Sequence, residues 1–350
     1  MRVVLSGFGT VNQAFARLVA TRADALIAQH GLEVRIVGVI DSRGSVVSER
    51  PLDATTLIDA KKVGSVAALP GGSSETDAAK VLARCAPDVL IQASPSDVKN
   101  PDPAIRQLTS AFARGIHAVT ATKAPIAIGM HALRELAAYN KVLLRYSATV
   151  GASTPVLATA ERIAAADRIL GVRAVLNGTT NFVLSRLIEG AAPGDAVRAA
   201  RLAGLAEEDP SHDLSGADAL DKLRIIAQCA GLTRLAISDA SCRPLDAGTS
   251  VQPRAGAVVR QTAAISPSGR AQVTLERISP GDPLFDLPDE WNAALLTWDD
   301  GEQTLLRGRG AGRWPTAESV FADALALARR QQPAPAAPAP APREALCHVA

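Results

Sequence analysis

The chain has 350 residues and a formal net charge of +2, so it has room for two domains and lacks the basic excess of a nucleic-acid-binding protein. Hydrophobic residues make up 47% and charged residues 21%, as in ordinary globular proteins, and no apolar run is long enough to span a bilayer. The four cysteines form no CxxC pair and the first residues lack the pattern of a signal peptide, so we expect a cytoplasmic protein without nucleic-acid or membrane partners.

Short apolar runs alternate with helix-like stretches in the first half of the chain. The predicted strands cover residues 3–6, 34–40, 88–93, 117–120 and 142–146. The predicted helices cover residues 10–29, 78–84, 103–114 and 131–139. This alternation is typical of an α/β fold in which helices cover both faces of a parallel sheet, as in a Rossmann domain.

After about residue 147 the pattern changes to one typical of an α+β domain with a mixed sheet. A predicted helix at 155–166 precedes a strand that ends at Leu176, and two more helices lie near 180–189 and 217–230. Strands with alternating apolar residues at 271–278 and 303–308 precede a last helix at 317–329. The tail 331–350 contains PAPAAPAPAP, and this proline density predicts an extended, disordered segment.

The segment GFGTVN follows the first strand and opens the first predicted helix. That context predicts a dinucleotide-binding loop, in which backbone N–H groups at the start of a helix bind pyrophosphate. Gly7 permits the tight turn and Gly9 lets the phosphate approach the backbone, next to Thr10 and Val11. Asn12 stands where the motif has a third glycine, and we expect it to loosen the packing of helix against strand.

Two residues near the end of the second predicted strand favour different cofactors. Asp41 lies where an acidic residue would bind the ribose 2′-hydroxyl of NAD, whereas Arg43 could bind the 2′-phosphate of NADP. An exposed loop arginine without a ligand explains Arg43 equally well. The sequence therefore predicts NAD or NADP and does not select one of them.

Five further segments occur in a fixed order along the chain. They are TATKAP at 120–125, ATVGA at 148–152, LNGTTN at 176–181, GLAEEDP at 204–210, and GAG at 310–312 followed by PTA at 315–317. The fourth continues through Asp213, Gly216, Asp218 and Lys222, which fixes several charged residues at set spacing. Together these segments resemble the homoserine dehydrogenase family over about residues 1–330.

The resemblance implies an NAD(P)-dependent oxidoreductase that interconverts L-aspartate 4-semialdehyde and L-homoserine. A hydride moves between C4 of the nicotinamide and the aldehyde carbon, and the developing alkoxide takes a proton from a cationic acid. Lys222 is implied as the principal proton donor, with Lys123 beside cofactor and substrate and Asp218 orienting the ammonium group. Partial burial can lower a lysine pKa towards neutrality, which would suit the role.

The resemblance also assigns residues to the two ligands. Glu207 would bind the α-ammonium group of the substrate with help from Asp213, Asp218 would lie beside them, and Gly178 and Thr179 would offer backbone and hydroxyl groups. The residues implied at the cofactor are Gly7, Gly9, Thr10, Val11, Asp41, Arg43, Ser94, Lys123, Gly204 and Gly312.

The organisation of the chain follows from these assignments. We predict a dinucleotide-binding domain at 1–147, joined by the C-terminal helix 313–330, and a substrate-binding and dimerisation domain at 148–312. Members of the family pair through the open face of the second sheet, so a homodimer is expected. Only about 20 residues follow Arg330, too few for the ACT domain that many members carry, so we expect the short form and no threonine feedback through such a domain.

Periodicity alone gives a different interpretation of the most specific segment. On the helix at 217–230, Asp218 and Lys222 fall roughly opposite Leu220, which indicates an exposed i,i+4 ion pair of little energetic value. His212 is not required by the family pattern, and we expect it to be a surface histidine. Lys123 on its own is explained equally well as a solvated loop lysine.

The sequence departs from the family pattern at three positions. Ser147 replaces an acidic residue that helps bind a monovalent cation together with backbone carbonyls, which here would belong to Val150, Ala152 and Thr154. A hydroxyl is a weaker ligand than a carboxylate, so we expect this cation site to be weakened or lost. Thr122 replaces asparagine and Ala124 replaces glycine beside Lys123.

These departures leave two alternatives to the main interpretation. One is a related NAD(P)-dependent dehydrogenase that acts on a different small amino or keto acid. The other is a non-catalytic dinucleotide-binding protein, against which the four charged residues Lys123, Glu207, Asp218 and Lys222 argue when taken together.

Overall fold

Two β-sheets organise the chain in a computed structural model, which describes residues 1–152, 154–166, 168–206, 208–232, 241–245, 256–266 and 270–331. The first sheet has the order β4-β3-β2-β1-β5-β6-β7, and its strands are β1 Arg2–Ser6, β2 Arg35–Asp41, β3 Gly44–Val47, β4 Gly72–Ser73, β5 Val89–Gln92, β6 His117–Thr120 and β7 Leu144–Arg145. Strands β2, β1, β5, β6 and β7 are mutually parallel, while β3 and β4 add an antiparallel edge. This is the Rossmann-like sheet that the first half of the sequence predicts.

Helices cover both faces of the first sheet. They are α1 Thr10–Thr21, α2 Ala23–His30, α3 Ala54–Val63, α4 Ala78–Cys85, α5 Asp102–Phe112 and α6 Lys123–Tyr139. Successive strand residues point to opposite faces, so Val3 and Leu5 of β1 pack in one core cluster with α1 and α3, while Val4 packs in another with α4. All three side chains are fully buried, which explains the continuous apolar run in the sequence.

The second sheet is mixed and has the order β13-β12-β8-β10-β11-β9. Its strands are β8 Ile169–Val175, β9 Ser241–Cys242, β10 Val258–Ile265, β11 Ala271–Ile278, β12 Trp291–Trp298 and β13 Gln303–Arg309. The accompanying helices are α7 Val156–Ala166, α8 Gly178–Ile188, α9 Pro193–Leu202, α10 Ser211–Leu214 and α11 Ala217–Cys229. Neighbouring strands are antiparallel except β11 and β9, which are parallel, as expected for a mixed sheet.

The last helix, α12 Arg313–Gln331, returns to the first sheet. Its apolar residues join the core cluster that contains β1 and α1. The rings of Phe321 and Phe15 lie 6.0 Å apart, and the guanidinium of Arg22 lies 5.4 Å from the centre of the Phe321 ring. The chain therefore needs its C-terminal helix to complete the layer over its first strand.

Each sheet has buried clusters of its own, and a further cluster is shared between the two sheets. The largest buried cluster joins Leu108 and Ile126 beside the first sheet to Leu176, Leu223 and Ile226 beside the second. Helix α6 belongs to the first half and α11 to the second, and both contribute to this cluster. A continuous apolar interface therefore connects the two sheets.

Several element boundaries differ from the sequence prediction. The single helix expected at 10–29 is two helices separated at Arg22, whose φ of −107° is not helical. Helix α6 begins at Lys123 rather than at 131, because Pro125 lies in its first turn, where no backbone N–H is needed. Gly129 has non-helical angles within α6 and interrupts the periodicity on which the prediction depended.

The sequence prediction missed some elements, and one predicted segment cannot be compared with the structure. The strands β3, β10 and β12 and the helices α3 and α9 were not predicted, because their apolar residues are interrupted by polar ones. The predicted disordered tail lies almost wholly outside the described residues. Within the described part of the chain, no helix is both long enough and apolar enough to cross a membrane.

Candidate active site

A cleft of about 930 Å³ opens between the two sheets. Three helices contribute to it near their N-terminal ends: α6 through Lys123, α8 through Gly178 and α11 through Asp218 and Lys222. The segment 309–315, which joins β13 to α12, closes the opposite side. The structure thus brings together residues from four of the five sequence segments, which are far apart along the chain.

A carboxylate between two lysines forms the floor of the cleft. The Nζ atom of Lys222 donates to Oδ2 of Asp218 at 2.7 Å and to the carbonyl oxygen of Leu176 at 2.6 Å. The Nζ atom of Lys123 donates to the other carboxylate oxygen, Oδ1. Asp218 is 3% exposed and Lys222 is 8% exposed. The interpretation of these residues as an exposed ion pair, which periodicity alone indicates, is therefore wrong. Helix α11 is buried because it packs against α6, α7 and β10, and because Lys123 and Asn177 contact its Asp218 side.

Burial and charge act in opposite directions on these groups. Burial alone would raise the pKa of Asp218, but the charges of Lys222 and Lys123 outweigh it and hold that pKa well below its usual range. Burial alone would lower the pKa of Lys123, but Asp218 outweighs it and the pKa of Lys123 is raised. The lowered lysine pKa that we expected is therefore not found at Lys123, because its carboxylate partner stabilises the charged form.

Asn177 joins a second carboxylate to this group and was missed as a site residue. Its Nδ2 atom donates to Oδ1 of Asp213 at 2.7 Å and to Oδ2 of Asp218 at 2.8 Å. Its side-chain oxygen accepts from the N–H of Thr180 at 2.8 Å, so Asn177 also caps helix α8. Burial and the charge on Asp218 raise the pKa of Asp213. An asparagine directly before a helix start was the signal that could have identified this residue.

The start of α8 presents backbone groups to the cleft. A side chain at Gly178 would place Cβ 2.9 Å from the carbonyl oxygen of Glu290, so only glycine fits there. The hydroxyl of Thr179 donates to the carbonyl oxygen of Leu205 at 2.5 Å, which uses its proton. The backbone N–H groups of Gly178 and Thr179 are therefore better placed to act as donors than the hydroxyl is. Glu207 lies outside the described residues.

The predicted dinucleotide loop has the geometry that a pyrophosphate needs. Gly7 has φ +80°, and a Cβ there would lie 2.5 Å from the carbonyl oxygen of Ala93. A Cβ on Gly9 would meet nothing within 4 Å, so the start of α1, with Thr10 and Val11, has open space before it. Residues 7–11 therefore fit a bound dinucleotide.

Asn12 bonds this loop to the strand before it. Its side chain is fully buried, and Nδ2 donates to the carbonyl oxygens of Ser6 and Gly7 at 3.1 Å each. The amide therefore joins the end of β1 to the first turn of α1, so hydrogen bonds stand at the position where the motif has a glycine.

The carboxylate of Asp41, which the sequence predicts at the ribose, forms hydrogen bonds within the protein. Its side chain is 1% exposed. It accepts hydrogen bonds from the N–H of Arg43 at 2.8 Å, Nζ of Lys61 at 3.1 Å, Oγ of Ser65 at 3.0 Å and the N–H of Val66 at 3.1 Å. Burial alone would raise the pKa of Asp41, but these donors outweigh the effect of burial, and the pKa is lowered. Arg43 is exposed beside it.

The remaining predicted cofactor residues lie around the same region. Ser94 follows β5, and its N–H donates to Oγ1 of Thr122 at 3.1 Å, while Thr122 donates back to the Ser94 carbonyl at 3.0 Å. Thr122 thus joins the ends of β5 and β6 just before Lys123. Gly204 and Gly312 line the cleft itself. Ser147, Ala152 and Thr154 line a separate cavity, which shares no residue with the cleft.

A Rossmann-like sheet with a glycine-rich loop, set against a mixed sheet with a lysine-bearing cleft, is the architecture of an NAD(P)-dependent oxidoreductase. Comparison with known proteins makes this assignment specific. The family model described as homoserine dehydrogenase matches residues 155–325. The chain is 32% identical over 335 residues to the NAD(+)-dependent homoserine dehydrogenase of Pseudomonas canavaninivorans, covering 93% of this chain and 95% of that protein. The chain belongs to the homoserine dehydrogenase family.

Other relatives agree with this assignment. The homoserine dehydrogenase of Methanocaldococcus jannaschii is 28% identical over 93% of this chain and 98% of its own length. A mutant of a hyperthermophilic archaeal homoserine dehydrogenase, solved in complex with NADPH, superposes with a TM-score of 0.80 at 25% identity, over 94% of this chain and 98% of that one. The protein is an oxidoreductase that acts on a CH–OH group, and its reaction is the interconversion of L-aspartate 4-semialdehyde and L-homoserine.

His212 generates a pH-dependent prediction. Its side chain is 54% exposed, and Nε2 lies 3.5 Å from Oδ2 of the buried Asp221, which raises the pKa of His212. Because the folded pKa lies above the unfolded one, the stabilisation is complete below about pH 6.5 and is lost as the pH rises through the folded pKa. We expect His212→Gln to lower the free energy of unfolding by at most about 1 kcal/mol near pH 5.5 and not at about pH 9.

Urea unfolding monitored by circular dichroism at several pH values measures this difference. The matched control is His131→Gln, since His131 has a side chain that is 91% exposed on α6. A destabilisation by His212→Gln that is equal at all pH values would contradict the role of the ion pair.

Proposed function

We propose that Lys222 is the group that gives a proton to the substrate oxygen and that Asp218 and Lys123 position and support it. The observation that carries this proposal is the burial of one carboxylate between two ammonium groups on the floor of the cleft. Lys222 uses two of its three N–H bonds on Asp218 and Leu176, which leaves one for a ligand. When bound, the nicotinamide supplies or accepts the hydride.

The different roles of Lys123 and Lys222 follow from their surroundings. Lys123 has a raised pKa, so it keeps its proton and stabilises negative charge on the substrate oxygen. Lys222 has one N–H left after it donates to Asp218 and to the carbonyl of Leu176, so it can donate that proton to the alkoxide. The neutral amine then regains a proton from solvent through the cleft.

The substrate-binding role rests on the start of α8 and on the acidic groups beside it. We assign the N–H groups of Gly178 and Thr179 to an oxygen of the substrate, because the helix N-terminus favours negative charge there. Asp213, held by Asn177, faces the same cleft and would attract the α-ammonium group. Glu207 keeps the role that the family resemblance implies.

The surroundings of Asp41 and Arg43 support a preference for NADP(H). Asp41 would select the unphosphorylated ribose of NAD, but its carboxylate already accepts four hydrogen bonds from the protein. Arg43 is exposed at the same strand end, and its guanidinium lies 3.4 Å from the position of a Cβ on Gly64. We therefore propose that Arg43 binds the 2′-phosphate. The remaining assigned residues, Gly7, Gly9, Thr10, Val11, Ser94, Gly204 and Gly312, would hold the rest of the dinucleotide.

We further propose that residues 1–147 and 313–330 form one domain and that residues 148–312 form the other. We also propose a cytoplasmic location. The first sheet with α12 supports the dinucleotide-binding unit, and the second sheet supports the substrate-binding unit. The described cysteines are free thiols, with Cys85 and Cys229 buried and Cys242 exposed, which is typical of a reducing compartment.

A homodimer is supported by the second face of the second sheet, which the segment with Leu284 and Leu287 covers only in part. Helices pack on the face that carries Val172, Ala294 and Leu296, whereas Leu295 and Leu305 form a cross-strand pair on the opposite face. Leu305 is 37% exposed although it is a large apolar side chain. Pairing of two such faces would bury this apolar surface.

The proposed proton transfer is tested by oxidation of L-homoserine at alkaline pH, with NAD⁺ and NADP⁺ supplied separately. We expect Lys222→Ala to lower kcat by at least about 100-fold, because general acid–base catalysis supplies a factor of that order. Lys80→Ala is the matched control, since Lys80 lies on the exposed side of α4 and outside the cleft. Turnover by Lys222→Ala within about 10-fold of the parent would contradict the assignment.

The cofactor preference is tested by titrating each dinucleotide into the protein and its variants. We expect the parent to bind NADP⁺ more tightly than NAD⁺, and Arg43→Ala to weaken NADP⁺ binding about 10-fold while NAD⁺ binding changes little. Arg50→Ala, a nearby exposed arginine, is the control. Equal losses for both dinucleotides would show that Arg43 does not contact the 2′-phosphate.

Sedimentation equilibrium tests the proposed dimer. We expect the parent to have the mass of two chains and Leu305→Asp to shift towards one chain, because a charge would then have to be buried. Leu202→Asp is the matched control, since Leu202 is 87% exposed on α9, away from the sheet. A parent protein with the mass of one chain would reject the proposal.

A further inference from the structure

The carbonyl oxygen of Leu176 is shared by two buried side chains. Nζ of Lys222 donates to it at 2.6 Å, and Nδ2 of Asn292 donates to it at 3.0 Å. A carbonyl oxygen has two lone pairs, so both are used. Asn292 is 4% exposed and is not among the residues that line the cleft, so it acts on a ligand only through Leu176.

Asn292 stands where the ladder between β8 and β12 ends. The last ladder pair before α8 joins Val175 to Ala293, so antiparallel pairing would next place Asn292 opposite Leu176. At this point the side chain of Asn292 donates to the Leu176 carbonyl. The geometry of the sheet therefore brings an amide to the peptide group that follows β8.

Packing fixes the orientation of this amide. Gly310, in the segment that closes the cleft, lies so near that a Cβ on it would be 1.9 Å from both Cγ and Nδ2 of Asn292. Only glycine permits this approach, and the amide is confined between Gly310 and Leu176. Within the described part of the chain, Oδ1 of Asn292 accepts no hydrogen bond, so the bond to Leu176 is what the amide contributes there.

The peptide group between Leu176 and Asn177 serves two residues of the site. It is planar, so the direction of the Leu176 carbonyl is coupled to the position of Asn177. Its oxygen binds Lys222, and the side chain of Asn177 donates to Asp218 at 2.8 Å. Rotation of this peptide group would move the acceptor of Lys222 and the donor to Asp218 together. A hydrogen bond from β12 to the oxygen opposes that rotation.

We propose that Asn292 is a positioning residue for the proton transfer. It occupies one lone pair of the Leu176 oxygen, so Lys222 binds the other, and the N–H that Lys222 has left keeps one direction into the cleft. This inference rests on the role proposed for Lys222 as the proton donor. Misplacement of a reacting group by about 1 Å can lower a rate about 100-fold, so a small rotation of the ammonium group has a measurable effect.

Oxidation of L-homoserine by Asn292→Leu tests the proposal, because leucine has a similar size and no donor. We expect kcat to fall about 10-fold, while the KM for homoserine and the dissociation constant of the dinucleotide change less than about 3-fold. Asn292→Ala removes the same donor without adding atoms beside Gly310, and it should give the same loss of kcat.

A double-variant cycle separates positioning from general damage to the cleft. If Asn292 acts through Lys222, adding Asn292→Leu to Lys222→Ala should lower kcat by less than a further factor of about 2, because the group that Asn292 positions is already absent. A further loss of about 10-fold in the double variant would overturn the proposal, since Asn292 would then support the cleft without Lys222.

Thr304→Val is the matched control. The hydroxyl oxygen of Thr304 accepts from the indole N–H of Trp298 at 2.9 Å, at the end of β12 and β13 that is distant in sequence from Asn292 and Gly310. Neither Thr304 nor Trp298 lines the cleft, so the loss of this hydrogen bond should leave kcat unchanged. Thermal unfolding followed by circular dichroism verifies that each variant is folded.

The remaining outcomes distinguish this inference from the proposed function on which it rests. Values of kcat for both Asn292 variants within about 2-fold of the parent, with Lys222→Ala inactive, would overturn the inference about Asn292 alone. Turnover by Lys222→Ala near that of the parent would overturn the proposed proton donor, and the inference with it.

Discussion

The carboxylate of Asp218 is removed from water and would destabilise the folded chain if either lysine beside it were absent. Each of its oxygens meets an ammonium group, one from Lys123 and one from Lys222, and Asn177 adds a further donor. Lys123 begins α6, Asn177 precedes α8, and Lys222 lies in the second turn of α11. The compensation of one buried charge therefore fixes how three helix ends meet, and it creates the cleft in doing so.

The apolar interface between the two sheets makes this arrangement possible. Leucines and isoleucines of α6 and α11 lie in one continuous cluster, directly behind the polar groups of the cleft. Such packing holds the lysines in place without hydrogen bonds to every atom, so that donors stay available for a ligand. It also excludes water from one side of the carboxylate, which strengthens its attraction to both ammonium groups.

The parts of the fold and the site that the sequence predicted are those with local signals. Runs such as Val3–Val4–Leu5 and the turn at Gly7 and Gly9 are readable because burial and backbone geometry act over a few residues. The charges at 123, 207, 218 and 222 were found through resemblance, since periodicity alone placed Asp218 and Lys222 on an exposed face. Only the tertiary contacts of α11 with α6, α7 and Asn177 reverse that interpretation, and packing between distant segments has no local signal.

Two features of the structure had no local signal in the sequence. The carboxylate of Asp41, predicted at the ribose because it follows a strand, accepts hydrogen bonds from donors up to 25 residues further along the chain. Asn177 was missed as a site residue because its partners Asp213 and Asp218 lie 36 and 41 residues further along the chain. In both cases the tertiary fold brings the hydrogen-bond partners to a polar side chain.

The return of α12 to the first strand also affects how the chain folds during synthesis. Phe321 completes the layer over α1, yet it is made some 300 residues after Phe15 with which it packs. While the ribosome still holds the C-terminal part, the apolar side of α1 stays uncovered, even after the first seven strands have been made. The N-terminal half therefore reaches its final stability only when almost the whole chain has emerged, and a chaperone that shields α1 in this interval would raise the yield.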